Sequence, residues 1–165
     1  MNAAARELEA GTQWVLFALD SGRYALPLHS IERIVRAAQY TPLPLAPAAV
    51  LGALDVAGHI LPVFNLRNRF QLPERALSLT DQFIIARTVR RRVVLAVDAA
   101  LGVMEAPAQG AMDSARLTSG LPHIRGVLSL PDGLVLIQDL EQFLSPDESA
   151  GLEAAIRDEE QRRAR

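Results

Sequence analysis

Two stretches of the chain repeat one another, and an internal repeat restricts the possible folds more than composition does. Gly52 to Leu66 reads as a glycine, a short apolar strand, a turn at Gly58, a second apolar strand and then Asn65-Leu66. Gly126 to Leu140 follows the same order, with its turn at Gly133 and Asp139-Leu140 at its end. An Asn or Asp before the leucine is a helix N-cap signal, because its side-chain oxygen accepts an orphan N–H of the first turn. A unit built twice predicts two similar subdomains with a crevice between them.

The hairpins around the repeat point the same way. Trp14 to Leu19 is a continuous apolar run, followed by the turn Asp20-Ser21-Gly22-Arg23 and then Tyr24 to Leu26. So short a turn permits only an antiparallel hairpin. Phe83 to Ala86 and Val93 to Val97 flank Thr88 to Arg91 and read as a second hairpin. Both arms are apolar on successive residues, which predicts burial on both faces and small barrels leaning on each other. Pro42, Pro44 and Pro47 exclude Thr41 to Pro47 from the middle of a ladder. Short helices are expected from Leu66 to about Phe70 and from Leu140 to Leu144. Pro73 to Thr80 is expected as a linker, and Asp98 to Val103 as a short strand or turn. Glu105 to Leu121 reads as a long irregular loop. Ser145-Pro146-Asp147-Glu148 is a helix start, and Leu152 and Ile156 share one face of the helix that follows. The expected divisions are a flexible N-terminus over 1–13, the two-barrel domain over 14–144 and a charged C-terminal helix over 145–165.

Composition removes several kinds of chemistry. The chain has no cysteine, hence no disulfide framework and no thiolate nucleophile or zinc-thiolate site. It has no lysine, which removes Schiff-base chemistry and the P-loop lysine. The formal net charge of -2 gives no overall field toward nucleic acid or acidic membranes. The apolar runs are short and broken by Arg, Asp or Pro, and Met1 to Glu9 lacks a signal-peptide pattern, so the expected compartment is the cytoplasm without membrane insertion. His29, His59 and His123 show no metal-ligand spacing and read as exposed loop positions, so neither metal nor cofactor is expected. Asp55, Asp132 and Asp139 are candidate acid–base groups, yet Asp132-Gly133 also suits a hairpin turn and Asp139 a cap. Arg90-Arg91-Arg92 on a small barrel raises nucleic-acid binding as an alternative, with few aromatic residues available to stack on bases.

The residues also resemble a known family. Phe17-x-Leu19, Tyr24-x-Leu26-Pro27-Leu28 and Ile31-x-x-Ile34 resemble the opening of the CheW-like domain of bacterial chemosensory systems. Pro42 to Pro44, Pro47, Val50-x-Gly52 and Gly58-x-Ile60-x-Pro62-Val63-x-Asn65-Leu66-Arg67-x-Arg69-Phe70 are similar to its most recognisable stretch. Val97-Asp98 and Ile124-x-Gly126 through Leu140 complete the likeness, which spans Trp14 to Leu144. It implies a mainly β fold: two intertwined five-stranded SH3-like β-barrels with short helices and a C-terminal helix. It implies a non-catalytic adaptor, without cofactors, that couples the cytoplasmic tip of a chemoreceptor of methyl-accepting type to the regulatory domain of a chemotaxis histidine kinase.

Carried over by position, the resemblance implies a receptor-binding groove containing Ile31, Ala100 and Val103, with Gly52 permitting close backbone packing at its edge. It implies a kinase-binding loop at Asp55, Val56, Ala57 and Gly58. Family members commonly have an acid just after the groove position and Asn-Leu-Arg-Gly at the turn, where this chain has Arg33 and Asp55 to Gly58. A swapped ion pair between Arg33 and Asp55 is therefore expected. The departure also suggests a coupler in a specialised, non-flagellar chemosensory pathway.

Overall fold

The structure is a computed structural model that describes residues 11–105, 111–113 and 123–165. Its fold is mainly β, two SH3-like barrels of antiparallel hairpins with short helices and one long C-terminal helix. Contacts divide the chain into two units. The first comprises the chain up to Glu32 together with Val97–Phe143, and the second Arg33–Ala96 with Leu144–Arg165. The chain therefore passes from the first unit to the second, back to the first and again to the second, which is the sense in which they are intertwined.

In the first unit, β1 (Gln13–Leu19) and β2 (Gly22–Pro27) pair as the expected hairpin, closing at Leu19 and Gly22 with Asp20 at a φ of 51°. The second repeat forms β10 (Ile124–Leu130) and β11 (Gly133–Gln138), and β11 runs parallel to β2. With β8 (Ala99–Glu105) beside β1 and β9 (Ala111–Asp113) beside β10, the strand order is β8-β1-β2-β11-β10-β9. This sheet thus has a short sixth strand inside the stretch expected to be irregular, the rest of which (106–110 and 114–121) lies outside the described residues. Trp14, Ala25, Leu128, Val135 and Ile137 form one buried cluster of the unit.

The second unit repeats this plan. Here β4 (Val50–Val56) and β5 (His59–Phe64) are the first copy of the repeat, and β5 runs parallel to β7 (Arg92–Val97). Between β7 and the edge strand β3 (Ile31–Arg36) lies β6 (Gln82–Arg87), giving the order β3-β6-β7-β5-β4. Four successive residues of β6, Phe83 to Ala86, are buried, as the unbroken apolar run predicts. Val56, Leu61, Val63, Phe83, Ile85 and Val94 form a buried cluster of this unit.

The two copies agree in detail. A register shift separates Val50 from Gly52 in β4, and another separates Ile124 from Gly126 in β10. Each repeat then ends in a cap. The Asn65 side chain accepts from the Asn68 N–H to start α1 (Leu66–Arg69), and Asp139 accepts from the Glu141 N–H to start a 3₁₀ turn over Leu140–Gln142. The backbone N–H of each cap residue donates to a carbonyl just before the repeat, Ala49 O and His123 O, both at 2.7 Å.

The C-terminal helix α2 (Pro146–Arg163) belongs to the second unit. Ser145 and Glu148 form a full capping box, with Pro146 in the first turn where its missing N–H does no harm. Leu152, Ala155, Ile156 and Glu159 are buried, an i, i+3, i+4, i+7 stripe that fixes the face turned inward.

Gly52 is required by a close backbone approach. Thr41 and Ala53 exchange hydrogen bonds of 2.9 and 2.7 Å, so the Thr41 strand segment lies against β4. A Cβ at residue 52 would collide with the Thr41 carbonyl oxygen and come within 2.7 Å of Tyr40 Cδ2. At Gly58 a Cβ would meet open space, leaving only the strain of its φ of +84°. Gly52→Ala is therefore expected to lower stability by about 2 kcal/mol or more, and Gly58→Ala by about 1 kcal/mol. Urea unfolding of both variants checks this, and a larger loss at Gly58 would refute the packing argument.

Candidate functional site

Four residues were expected at a receptor surface. Ala100 and Val103 belong to the first unit and Gly52 to the second, while Ile31, the first residue of β3, falls just before the boundary at Glu32 and Arg33 where the chain leaves the first unit. Ala100 and Val103 both lie on β8, which ends its sheet and has β1 as its neighbour. A register shift in this pairing sets Phe17 opposite Ala100 and Leu16 opposite Gly102, so Leu101 is the extra residue of a bulge. Gly102 sits at a φ of 119°, a conformation that glycine adopts without steric cost. The consequence is an edge strand presenting large apolar side chains to solvent, with Leu101 50% and Val103 56% exposed. Ile31 opens β3 half-buried, and Ile34 on the same strand is 37% exposed. Leu101 was missed in the sequence, where its run reads as a short strand or turn; the bulge brings it out.

The second expected surface is the β4–β5 turn. Ala57 and Gly58 both have positive φ, 53° and 84°, as in a type I′ turn whose twist suits the flanking strands. Asp55, Ala57 and Gly58 are exposed, whereas Val56 is buried and belongs to the core of the unit. Asp55 has two tasks. Its Oδ1 accepts the Gly58 N–H at 2.9 Å, and its Oδ2 accepts from Arg163 Nη1 at 2.7 Å.

The expected Arg33–Asp55 pair does not form among the described residues. Arg33 is exposed on β3, at the opposite end of the strand order from β4. The last turn of α2 supplies the arginine instead. Nothing local in the sequence signals this, since the partners are 108 positions apart.

The remaining ionisable candidates have structural partners. Asp139 caps its 3₁₀ turn and pairs with Arg125 at 3.2 Å. Asp132 accepts two hydrogen bonds from the Arg23 guanidinium at 2.9 and 3.1 Å, which hold its carboxyl below the ordinary carboxylate range. His29 and His59 are exposed as expected, but His123 is buried, because the chain segment entering β10 carries it inside. Among the described residues no group of three His, Cys, Asp or Glu is placed to hold a metal ion. No described helix is long and apolar enough to cross a membrane. The aromatic side chains Trp14, Phe17, Tyr24, Phe64, Phe83 and Phe143 are buried, so the barrels display few rings to stacked bases.

The duplicated strand plan is the feature the comparisons with known proteins bear on. A family model described as the CheW-like domain matches residues 13–148. The chain belongs to the CheW-like domain family. Chemotaxis protein CheW of Treponema pallidum is 25% identical over 142 residues, covering 82% of this chain and 84% of that protein. Chemotaxis protein CheW of Rhizobium meliloti is 23% identical over 149 residues, covering 89% and 96%. Among solved structures, the scaffolding protein TtCheW from Thermoanaerobacter tengcongensis shares the fold, with a TM-score of 0.72 and 24% identity over 79% of this chain and 90% of that one.

The CheW-like match ends at Glu148, so most of α2 lies beyond it. That residue is also an anchor of the helix. Arg69 donates to the Glu148 carboxylate, and this hydrogen bond holds the Glu148 pKa below the ordinary range; burial opposes the shift, and the Ser145 N–H and hydroxyl add to it. A carboxylate whose folded pKa is depressed stabilises the protein above its ordinary pKa, about 4.3, and that stability is lost as pH falls through the folded value. Cooling-reversible thermal melts between pH 6 and pH 3, conditions spanning that window, should show a steeper fall in Tm for the native chain than for Glu148→Gln. Parallel curves would mean that the Arg69 pair does not hold α2 in place.

Proposed function

We propose that this chain is a non-catalytic adaptor of bacterial chemosensory signalling, coupling receptors of methyl-accepting chemotaxis type to a chemotaxis-type histidine kinase. The observation that carries the reading is the CheW-like match over residues 13–148, which contains both strand repeats entire. Relatives named chemotaxis protein CheW that align along more than four-fifths of their own length agree with it. In this role the chain works at the cytoplasmic face, beside membrane-bound receptors, and performs no chemistry of its own.

The receptor tip is a helical hairpin, and a helix is read through side chains at i, i+3 and i+4 laid on an apolar surface. Val103, Leu101 and Ala100 on β8, with Ile31, are the residues we assign to that contact; the exposed apolar edge supports the assignment. Gly52 acts indirectly, by keeping the Thr41 segment close to β4. We assign kinase contact to the exposed members of the β4–β5 turn, Asp55, Ala57 and Gly58, with Val56 as their buried anchor. Pairwise affinities of micromolar order, about 8 kcal/mol, suffice for such a role, because an array adds effective concentration.

Co-sedimentation with receptor signalling fragments and the kinase of the same genome tests the proposal. Val103→Asp should weaken receptor binding by about 1–3 kcal/mol with little change in Tm, since that side chain is more than half exposed. Ile31→Asp should weaken it similarly, with some loss of stability. If neither variant affects binding, β8 is not the contact; if the native chain binds neither protein, the adaptor role fails.

A further inference from the structure

One cleft is unrelated to the surfaces assigned above except at Gly58. It lies within the second unit, has a volume of about 500 Å³, and is walled by the start of β5, the tip of the β6–β7 hairpin and α2. Its floor is formed by Ile60, Leu61 and Pro62 of β5 with Ile156 of α2 beside them; Ile60 is the half-exposed one of these, and exposed His59 adjoins it. One wall is the run Arg90-Arg91-Arg92, and Glu160 is the one acid of the lining.

The arginines are not loose surface charges. The hairpin tip is fixed by the Thr88 N–H donating to the Arg91 carbonyl at 2.8 Å and by the Arg91 N–H donating to Thr88 Oγ1 at 3.1 Å. Arg91 is tied to Glu153 of α2 at 3.1 Å, and Arg90 reaches Ser149 at 3.3 Å and the same Glu153 at 3.8 Å while its side chain stays 68% exposed. Guanidiniums held in place in this way lose little freedom when they meet a carboxylate, and their forked donors match its two oxygens. Most of α2 lies past the CheW-like match, so one wall of this cleft is an addition to the family domain.

We propose that this cleft is a docking site for an acidic, apolar-bearing segment of a protein partner, with carboxylates along the arginine wall at the exposed Arg90 and an aliphatic side chain on the β5 floor. Charge complementarity sets the sign of the ligand: three arginines outnumber the acids near them, Glu160 in the lining and Glu153 beside it. The floor decides between classes of anion. It has no Phe, Tyr or Trp on which a base can stack, His59 being the one ring of the lining, and its aliphatic surface suits a Leu or Ile instead.

The test uses the full chain and a short fluorescein-labelled peptide of alternating Glu and Leu. A matched peptide with Gln for Glu and an oligothymidylate of equal charge serve as comparisons. We expect binding to the acidic peptide that weakens with salt, and much weaker binding of the Gln peptide. Arg90→Ala should weaken the acidic peptide by about three- to tenfold, while Glu160→Gln should tighten it, opposite effects that general unfolding cannot produce. Oligothymidylate binding as tight as the peptide would overturn the proposal in favour of a nucleic-acid surface. Absence of peptide binding, or equal affinity in both variants and the native chain, would also overturn it. None of these results bears on receptor and kinase co-sedimentation, so this proposal and the adaptor reading fail separately.

Discussion

Each unit depends on one parallel pairing. In the first, the hairpins β1–β2 and β10–β11 are joined in the sheet where β2 runs beside β11, with Tyr24 opposite Leu136 and Ala25 opposite Ile137. In the second, β5 meets β7 at Val63 opposite Val94 and Phe64 opposite Leu95. Two register positions provide few hydrogen bonds, and each is worth only about 1 kcal/mol net. Side-chain burial must therefore hold the seam. Ala25, Ile137, Val63, Val94 and Leu95 are fully buried, and Phe17 stacks on Tyr24 with ring centroids 5.7 Å apart. Burial of a Val, Leu or Ile is worth about 1.5–3 kcal/mol each, so the apolar contacts outweigh the ladder at both seams.

Connectivity adds a second constraint. β3 follows β2 directly in the chain but joins the other sheet, and β8 follows β7 and does the same in reverse. Neither sheet is therefore made from one continuous segment. Its edge strand arrives from the hairpin of its counterpart, and most of its closing contacts are distant in sequence. Such a topology has a high loop-closure cost before it gains its contacts, which favours slow, cooperative folding over independent folding of either half.

The same physics explains what the sequence disclosed. Hairpins, caps and the helix start are local: the two-residue turn after Leu19, the Asn65 and Asp139 caps and the Ser145–Glu148 box all depend on residues a few positions apart. These were legible, as was the duplication. The parallel seams were not, because nothing in Tyr24 or Val94 specifies a partner so far along the chain. The sites divide in the same way. Val56 lies in a turn that was anticipated, yet alternation in β4 turns it into the core. Asp55 was expected to find Arg33 by analogy between positions, but α2, read only as a charged helix, brings Arg163 to it. His123 was read as exposed together with His29 and His59, for want of metal-ligand spacing, and the path into β10 buries it.

A barrel whose strands are buried on successive residues has few places left for recognition. Phe83 to Ala86 and Val93 to Leu95 present no free face in their unit, so binding must fall on edge strands, hairpin tips and added helices. β8 is such an edge, and an exposed apolar edge is ordinarily an aggregation liability. Here the bulge at Leu101 and the left-handed Gly102 break the regular spacing of its outer backbone groups, which discourages another strand from pairing along it. The side chains Leu101 and Val103 stay available while the backbone template is spoiled. That combination suits a helix, which presents side chains and no free backbone groups, better than it suits a strand, and it is the physical reason for assigning a helical partner to this edge.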